Sequence, residues 1–350
     1  AEPEVMARTR WGLACKDFIR LRLTGEALTD PTDASGGGLM DLERGAYSAA
    51  VLAAFGVPQI AAVLPPVIGS SAVGGRVSAA AARETGLAEG LPVAGGMMDV
   101  AACALGAGIV DGSRLVMIAG TWAINGLEVP GTRPERPPIL NMLHRDGATR
   151  LVAEGSPSSA ANLGWYLERA MGRRLSPAEA TAKIAGSEVL ARRCHFMPYV
   201  HGPQPRQGAF VGLTATDGEA SMIRAICEGV AFQHRRHAEE ILPHAGGRWP
   251  EAIRLAGGAA RSAPWAQIFA DVCQRPVEVV EAGEVGALGA AMCASVAGGL
   301  HADLVTAARA MSRIRRRHEP ETAFGAFYDD RYRQFLQLDA GLVALAAGLA

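Results

Sequence analysis

Three short stretches hold residues whose types and spacing suit phosphate chemistry: GGMMD (95–99), GTW (120–122) and GGAARS (257–262). Each follows an apolar run that reads as a buried strand, LPVA before the first, RLVMIA before the second and AIRLA before the third. Asp99 stands just past a glycine turn, where a carboxylate can act as a general base in a cleft. Asp is also a favoured residue at a helix start, and the two roles can coexist. At Gly120 the missing side chain lets the backbone approach a phosphate, and the Thr121 hydroxyl can donate to its oxygens. A plain turn has the same composition. Gly257 and Gly258 lie between a strand and a helix that opens near Ser262. A helix N-terminus offers unpaired N–H groups and the positive end of a dipole. None of the three stretches is a G-x-G-x-x-G or Walker loop, so dinucleotide and P-loop readings fail on pattern. Together the three ends predict a phosphate-handling cleft.

The elements that must position these residues are legible in outline. Residues 3–23 read as a helix with Phe18 and Leu21 on one face and Gly25 as its stop. TDPTDASGGG (29–38) reads as a turn-rich loop in which Asp30, Asp33 and Ser35 satisfy local backbone donors. A strand over 91–96 enters a helix over 99–108, and a second buried strand follows over 114–120. Further strands are expected at 194–200 and 209–213, before a long amphipathic helix over 218–242 marked by Met222, Ile223, Ile226, Val230 and Ile241. The remainder alternates: strand 252–258, helix 262–274, strand 276–282, helix 284–298, then C-terminal helices. Among these, 327–338 brings Tyr328, Tyr332 and Phe335 to the core. Short apolar strands alternating with helices predict an α/β fold with a largely buried sheet. Only TRPERPP (132–138) looks linker-like.

Composition narrows the class. With 34 Lys and Arg against 35 Asp and Glu, no global field favours nucleic acid or an anionic membrane. No apolar run approaches the roughly 20 residues needed to span a bilayer, and no basic segment leads into an apolar one as in a secretory signal. The six cysteines form no CxxC pair and sit mostly among apolar residues, which reads as free buried thiols in a reducing, cytoplasmic setting. His234, His237 and His244 read as solvated residues of the long helix, because no acidic partner stands at zincin spacing. Arg313, Arg315, Arg316 and Arg317 read as a solvated helix end.

From residue 4 almost to its end the chain resembles the FGGY family of carbohydrate kinases. The resemblance rests on KDFIRLRLTGE…TDPTDAS (16–35), GLPVAGGMMDVAACALGAG (90–108), GAFVGL (208–213), SMIRAICEGVAF (221–232) and the block from Ile253 to Ala294. GGMMDV, GTW and EGSPSSAANLGW (154–165) look like its L-xylulose kinase branch. Ser221 and Cys227 depart from the family's second signature.

The resemblance implies an α/β, actin-like ATPase (ribonuclease H-like) fold of two domains. Residues 1–106 would be the remainder of a sugar-binding N-terminal domain, and 107–350 the nucleotide-binding domain. The family's first phosphate loop and most sugar contacts would lie upstream of residue 1, so the N-terminal domain is expected to be incomplete. It further implies ATP and Mg²⁺ as cofactors and a small sugar or polyol as acceptor. By the same resemblance Asp99 is the base and holds Mg²⁺ through water. Gly120 and Thr121 touch the phosphates, Gly257 and Gly258 pass beneath the nucleotide, and Ser262 lies near the adenine. No nucleic-acid or membrane partner is expected, and a homodimer is compatible with this reading. The alternative is a non-catalytic or actin-like ATPase relative that binds nucleotide without a sugar acceptor.

Overall fold

The computed structural model describes residues 3–131, 137–172, 175–191, 194–202 and 205–349. The linker-like stretch at 132–138 therefore falls largely outside the described residues. The chain divides into two units, one of Ala1–Asp111, Glu128–Val152 and Glu284–Arg313, the other of Gly112–Leu127, Ala153–Gly283 and Ile314–Ala350.

In the first unit, the stretch expected as one helix over 3–23 is two, Pro3–Arg8 and Cys15–Thr24. Between them Gly12 donates its N–H to Val63 O at 2.8 Å, a tertiary bond that draws the chain out of helical register. Gly25 does stop the second helix, at φ 83°. The buried face of Cys15–Thr24 is polar: Asp17 and Arg20 point inward, while Phe18 is 56% exposed. TDPTDASGGG is not a loop either. It folds as a helix, Pro31–Gly36, because Asp30 accepts from the N–H groups of Thr32 (3.0 Å) and Asp33 (3.2 Å) and Pro31 is preset for a first turn. The strand Pro92–Ala94 pairs antiparallel with Val73–Arg76 and leads to the helix Asp99–Gly106. That helix packs on Val285–Ala297 with the backbones in contact: a Cβ on Gly289 would overlap the Ala102 carbonyl, and one on Gly106 the Val285 carbonyl.

The second unit is built on strands in the order Ile314–His318, Val277–Val280, Ala252–Ala256, Arg114–Ala119, Ala123–Val129. Ala252–Ala256 runs parallel to both of its neighbours, with Leu255 opposite Met117 and Ala256 opposite Ile118. The three central strands, Val277–Val280, Ala252–Ala256 and Arg114–Ala119, are largely apolar buried runs, as expected where both faces are covered. The helices Glu219–Ile241, Ala263–Cys273 and Gly325–Leu349 belong to the same unit. Tyr328, Tyr332 and Phe335 are buried around Phe232, the last with ring centroids 5.6 Å apart.

One expectation fails here, and three strands come unannounced. The arginine run forms an edge strand, not a helix end. Arg317 pairs with Glu278 at 2.5 Å and Glu319 at 2.6 Å, and its charges blunt an otherwise open sheet edge. Strands Ala123–Val129, Leu140–His144 and Thr149–Ser156 were not apparent from sequence, since polar and glycine residues break their apolar pattern.

Candidate active site

Asp99 is placed by a turn with little freedom. After Ala94 the chain passes through Gly95, where a Cβ would overlap the Gly69 carbonyl, and Gly96, at φ 77°. The Gly95 N–H donates to Ala72 O (2.9 Å) and the Gly96 N–H to Ser70 O (2.8 Å). Arg20 reaches across from its helix to donate to the Gly95 and Leu28 carbonyls. Met98, not Asp99, occupies the capping position of the following helix. Asp99 is the first helical residue, exposed, with Oδ1 accepting from Val100 N–H at 2.7 Å. Its carboxylate therefore stands at the start of the helix, open to solvent.

Behind this turn lies a charge cluster whose role sequence reading missed. Lys16 Nζ sits 2.5 Å from Asp17, 3.0 Å from Asp30 and 2.9 Å from Asp33, and Arg20 lies 3.0 Å from Asp17. Burial opposes the charge on Lys16, but the three carboxylates outweigh it and hold the ammonium above its usual range. Burial raises Asp33 above the ordinary carboxylate range, although Lys16 opposes the shift.

The other five predicted residues lie in the second unit, at the carboxyl ends of its central parallel strands. In open α/β sheets that is where ligands bind. The parallel register sets Gly257 beside the Ala119–Gly120 peptide. At φ 86°, a Cβ on Gly257 would stand 2.6 Å from Ala119 O and 3.0 Å from Gly120 N. Gly120 itself faces open space, with no atom within 4 Å of where a Cβ would be. Thr121 is exposed beside it. Gly258 is exposed in an ordinary right-handed conformation, φ −60°, and its Cβ would touch Ala119 O and Ala160 Cβ at 3.7 Å. The structure thus brings Gly120, Thr121, Gly257 and Gly258 together. Ser262 stands one 3₁₀ turn further on, ahead of helix Ala263–Cys273. It is almost buried, with its hydroxyl 3.1 Å from that of Thr181.

His234 and His237 are not solvated as expected. Both are buried, in a hydrogen-bonded row assembled from distant segments. Ser159 Oγ lies 2.9 Å from His234 Nε2, and His234 Nδ1 lies 2.7 Å from Asn125 Oδ1. Asn125 Nδ2 reaches His237 Nδ1 at 3.1 Å, and the row continues through the Gln233 amide to the Tyr199 hydroxyl. Because an amide oxygen only accepts, His234 carries its proton on Nδ1 and accepts from Ser159. Burial holds His234 well below the ordinary histidine range and brings His237 down to about 3, so both imidazoles are neutral.

Sequence comparison supplies the family. The description "FGGY family of carbohydrate kinases, N-terminal domain" matches residues 1–106, and its C-terminal domain matches residues 115–298. The chain belongs to the FGGY family of carbohydrate kinases. Both domains of the family are matched, and the expected incompleteness of the N-terminal one is not borne out by the match itself. Similar curated proteins include the "Probable L-xylulose kinase" of Pasteurella multocida, 32% identical over 98% of this chain and 70% of that protein. The L-xylulose/3-keto-L-gulonate kinase of Escherichia coli is 30% identical over 97% of this chain and 68% of its own length. Among solved structures, the xylulose kinase of Rhodospirillum rubrum superposes with a TM-score of 0.85 at 29% identity, over 99% of this chain and 70% of that one. The fold is accordingly the actin-like ATPase two-domain fold of FGGY kinases. As a family member the chain is an enzyme that phosphorylates a sugar, with ATP as donor.

Proposed function

We propose that this FGGY kinase transfers the γ-phosphoryl group of ATP to a hydroxyl of a ketopentose such as L-xylulose, or of a related polyol, giving a sugar phosphate and ADP. The reading rests on the joined glycine ends at Gly120 and Gly257, which leave exposed backbone and open space where a phosphate chain needs close approach. The relatives named L-xylulose kinase support the acceptor class. Asp99 takes the proton of the acceptor hydroxyl as its oxygen bonds to the γ-phosphorus and the bond to the β-phosphate oxygen breaks. Gly120 and Thr121 bind the phosphates, Gly257 and Gly258 lie beneath the nucleotide, and Ser262 lies near the base. In such a transfer, positioning and charge neutralisation contribute most of the rate.

Among the described residues no group of three His, Cys, Asp or Glu could cage a metal ion. Mg²⁺ at kinase sites is usually held by one or two carboxylates plus substrate phosphates, and a single exposed Asp99 fits that mode through water. When bound, the ion would neutralise phosphate charge. On this reading residues 1–106 form the sugar side and 107–350 the nucleotide side. A cytoplasmic setting is supported by six free cysteines, four of them buried.

The test is a panel of ketopentoses, polyols and hexoses offered with ATP and Mg²⁺, with ADP release measured for each. L-xylulose or a related acceptor should stimulate turnover well above the acceptor-free rate. ATP hydrolysis that is indifferent to every acceptor would instead favour an ATPase without a sugar substrate.

A further inference from the structure

The segment TDPTDAS (29–35) has no part in the chemistry above, yet its side chains close on the turn that carries Asp99. The Thr32 hydroxyl accepts from the Met98 N–H at 2.7 Å, the peptide immediately before Asp99. A hydroxyl locked as an acceptor must hand its own proton elsewhere, and Asp30 Oδ2 receives it at 2.8 Å. Asp30 is fully buried, and its carboxylate is saturated. Oδ2 also takes the Ser70 hydroxyl (2.7 Å) and the Thr32 N–H (3.0 Å), while Oδ1 takes the Asp33 N–H (3.2 Å) and Lys16 (3.0 Å). Ser70 in turn offers its carbonyl to the Gly96 N–H at 2.8 Å. One carboxylate therefore anchors both ends of the turn, Gly96 through Ser70 and Met98 through Thr32. The Met98 side chain lies against the same segment, since a Cβ on Gly36 would stand 2.5 Å from Met98 Sδ.

From this arrangement we infer that Asp30 and Thr32 are positioning residues for the Asp99 carboxylate. Neither touches a reacting atom. Thr32 fixes the Met98 peptide and so the first turn of helix Asp99–Gly106, and Asp30 fixes the rotamer of Thr32 and the backbone at Ser70. A base that must meet a hydroxyl within hydrogen-bond reach tolerates little drift; a misplacement of about 1 Å can cost about a hundredfold in rate. Thr32→Val keeps the shape of the side chain but removes the acceptor for Met98, freeing the turn to relax. The inference rests on Asp99 being the base, so the test carries a separate arm for that assignment.

Steady-state kinetics on Thr32→Val, Thr32→Ser and Asp99→Asn, each with a thermal melt, separate the possibilities. Thr32→Val should lower kcat by roughly 10- to 100-fold while KM for ATP and for the sugar stays within about twofold, because binding surfaces are untouched. Thr32→Ser retains the hydroxyl and should restore kcat to within about threefold of the parent. A merely structural threonine would lower Tm with little change in kcat of the folded protein. That result, or a Thr32→Val enzyme with parental kcat beside an inactive Asp99→Asn, overturns the positioning role alone. Normal turnover by Asp99→Asn removes the base assignment and this inference with it. Should Thr32→Val fail to fold, Ser70→Ala breaks the second tether and carries the same expectation, and a parental kcat in that variant overturns the inference.

Discussion

Replacing Gly257 by alanine, with Gly258→Ala as its neighbour control, isolates what the glycine loop does for the fold from what it does for the ligand. At Gly257 an added methyl meets two obstacles. The backbone stands at φ 86°, where an L side chain costs roughly 1–2 kcal/mol. The methyl would also lie 2.6 Å from Ala119 O, backbone that cannot rotate aside, so one of the two strand ends must shift. Overpacking of this kind typically adds about 1–3 kcal/mol. A total near 2–5 kcal/mol is expected, seen as a lower urea midpoint, and the shift displaces Gly120 and weakens ATP binding as well. At Gly258 the backbone is right-handed and a methyl meets only ordinary contacts at 3.7 Å. Gly258→Ala should leave stability equal or higher by about 0.4–1 kcal/mol, from reduced freedom of the unfolded chain. Any loss of ADP affinity by calorimetry then reports the approach of the nucleotide to position 258, and Gly258→Val should enlarge that loss while sugar affinity is unchanged. Equal stability of Gly257→Ala and the parent would refute the close-packing argument. Unchanged ADP affinity in Gly258→Val would move the nucleotide elsewhere.

Asp99→Asn should lower kcat by about 10²–10⁴-fold, the usual range for loss of a general base, with little change in Tm because the residue is exposed at a helix start; near-parental kcat would sink the assignment. Gly289→Ala, whose methyl would overlap the Ala102 carbonyl, should cost about 1–3 kcal/mol and lower kcat, since it pushes on the helix that begins with Asp99; a melt and activity matching the parent would contradict that packing. The unfolded chain protonates its histidines near the ordinary value of 6.5, whereas His234 and His237 resist protonation in the fold. Their contribution is therefore complete above that value and declines as pH falls toward 3, by about 1.4 kcal/mol per pH unit for each histidine. Unfolding titrations from pH 7 to 4.5 should show this slope, reduced in His237→Asn; an identical slope in that variant would show that His237 is not a buried neutral group.

How much was legible in the sequence follows from the range of the forces involved. RLVMIA and AIRLA read as buried strands because all their residues but Arg114 and Arg254 are apolar, and Gly120 and Gly257 mark their ends. Asp99 stood out as a candidate for the same local reason, as a carboxylate just past a strand and a glycine turn. The long helix Glu219–Ile241 and the aromatic helix of Tyr328, Tyr332 and Phe335 declared themselves by spacing. Local signals misled where a distant partner changed the balance. Phe18 looked like a core residue, but Asp17 and Arg20 took the inner face because the Gly95 and Leu28 carbonyls needed donors. His234 and His237 looked solvated because their partner Asn125 lies 109 and 112 residues away in sequence.

The sequence by itself determined the family and the α/β class, since these are carried by short motifs and apolar runs whose meaning does not depend on neighbours far along the chain. Only the tertiary structure decided that Gly257 rests on the Ala119–Gly120 peptide and that Asp30 governs the turn before Asp99. Parallel strand pairing and buried hydrogen bonds join segments tens to more than a hundred residues apart. Taking such groups out of water is costly unless their partners are buried with them, and no local pattern of residues records which distant partner that will be.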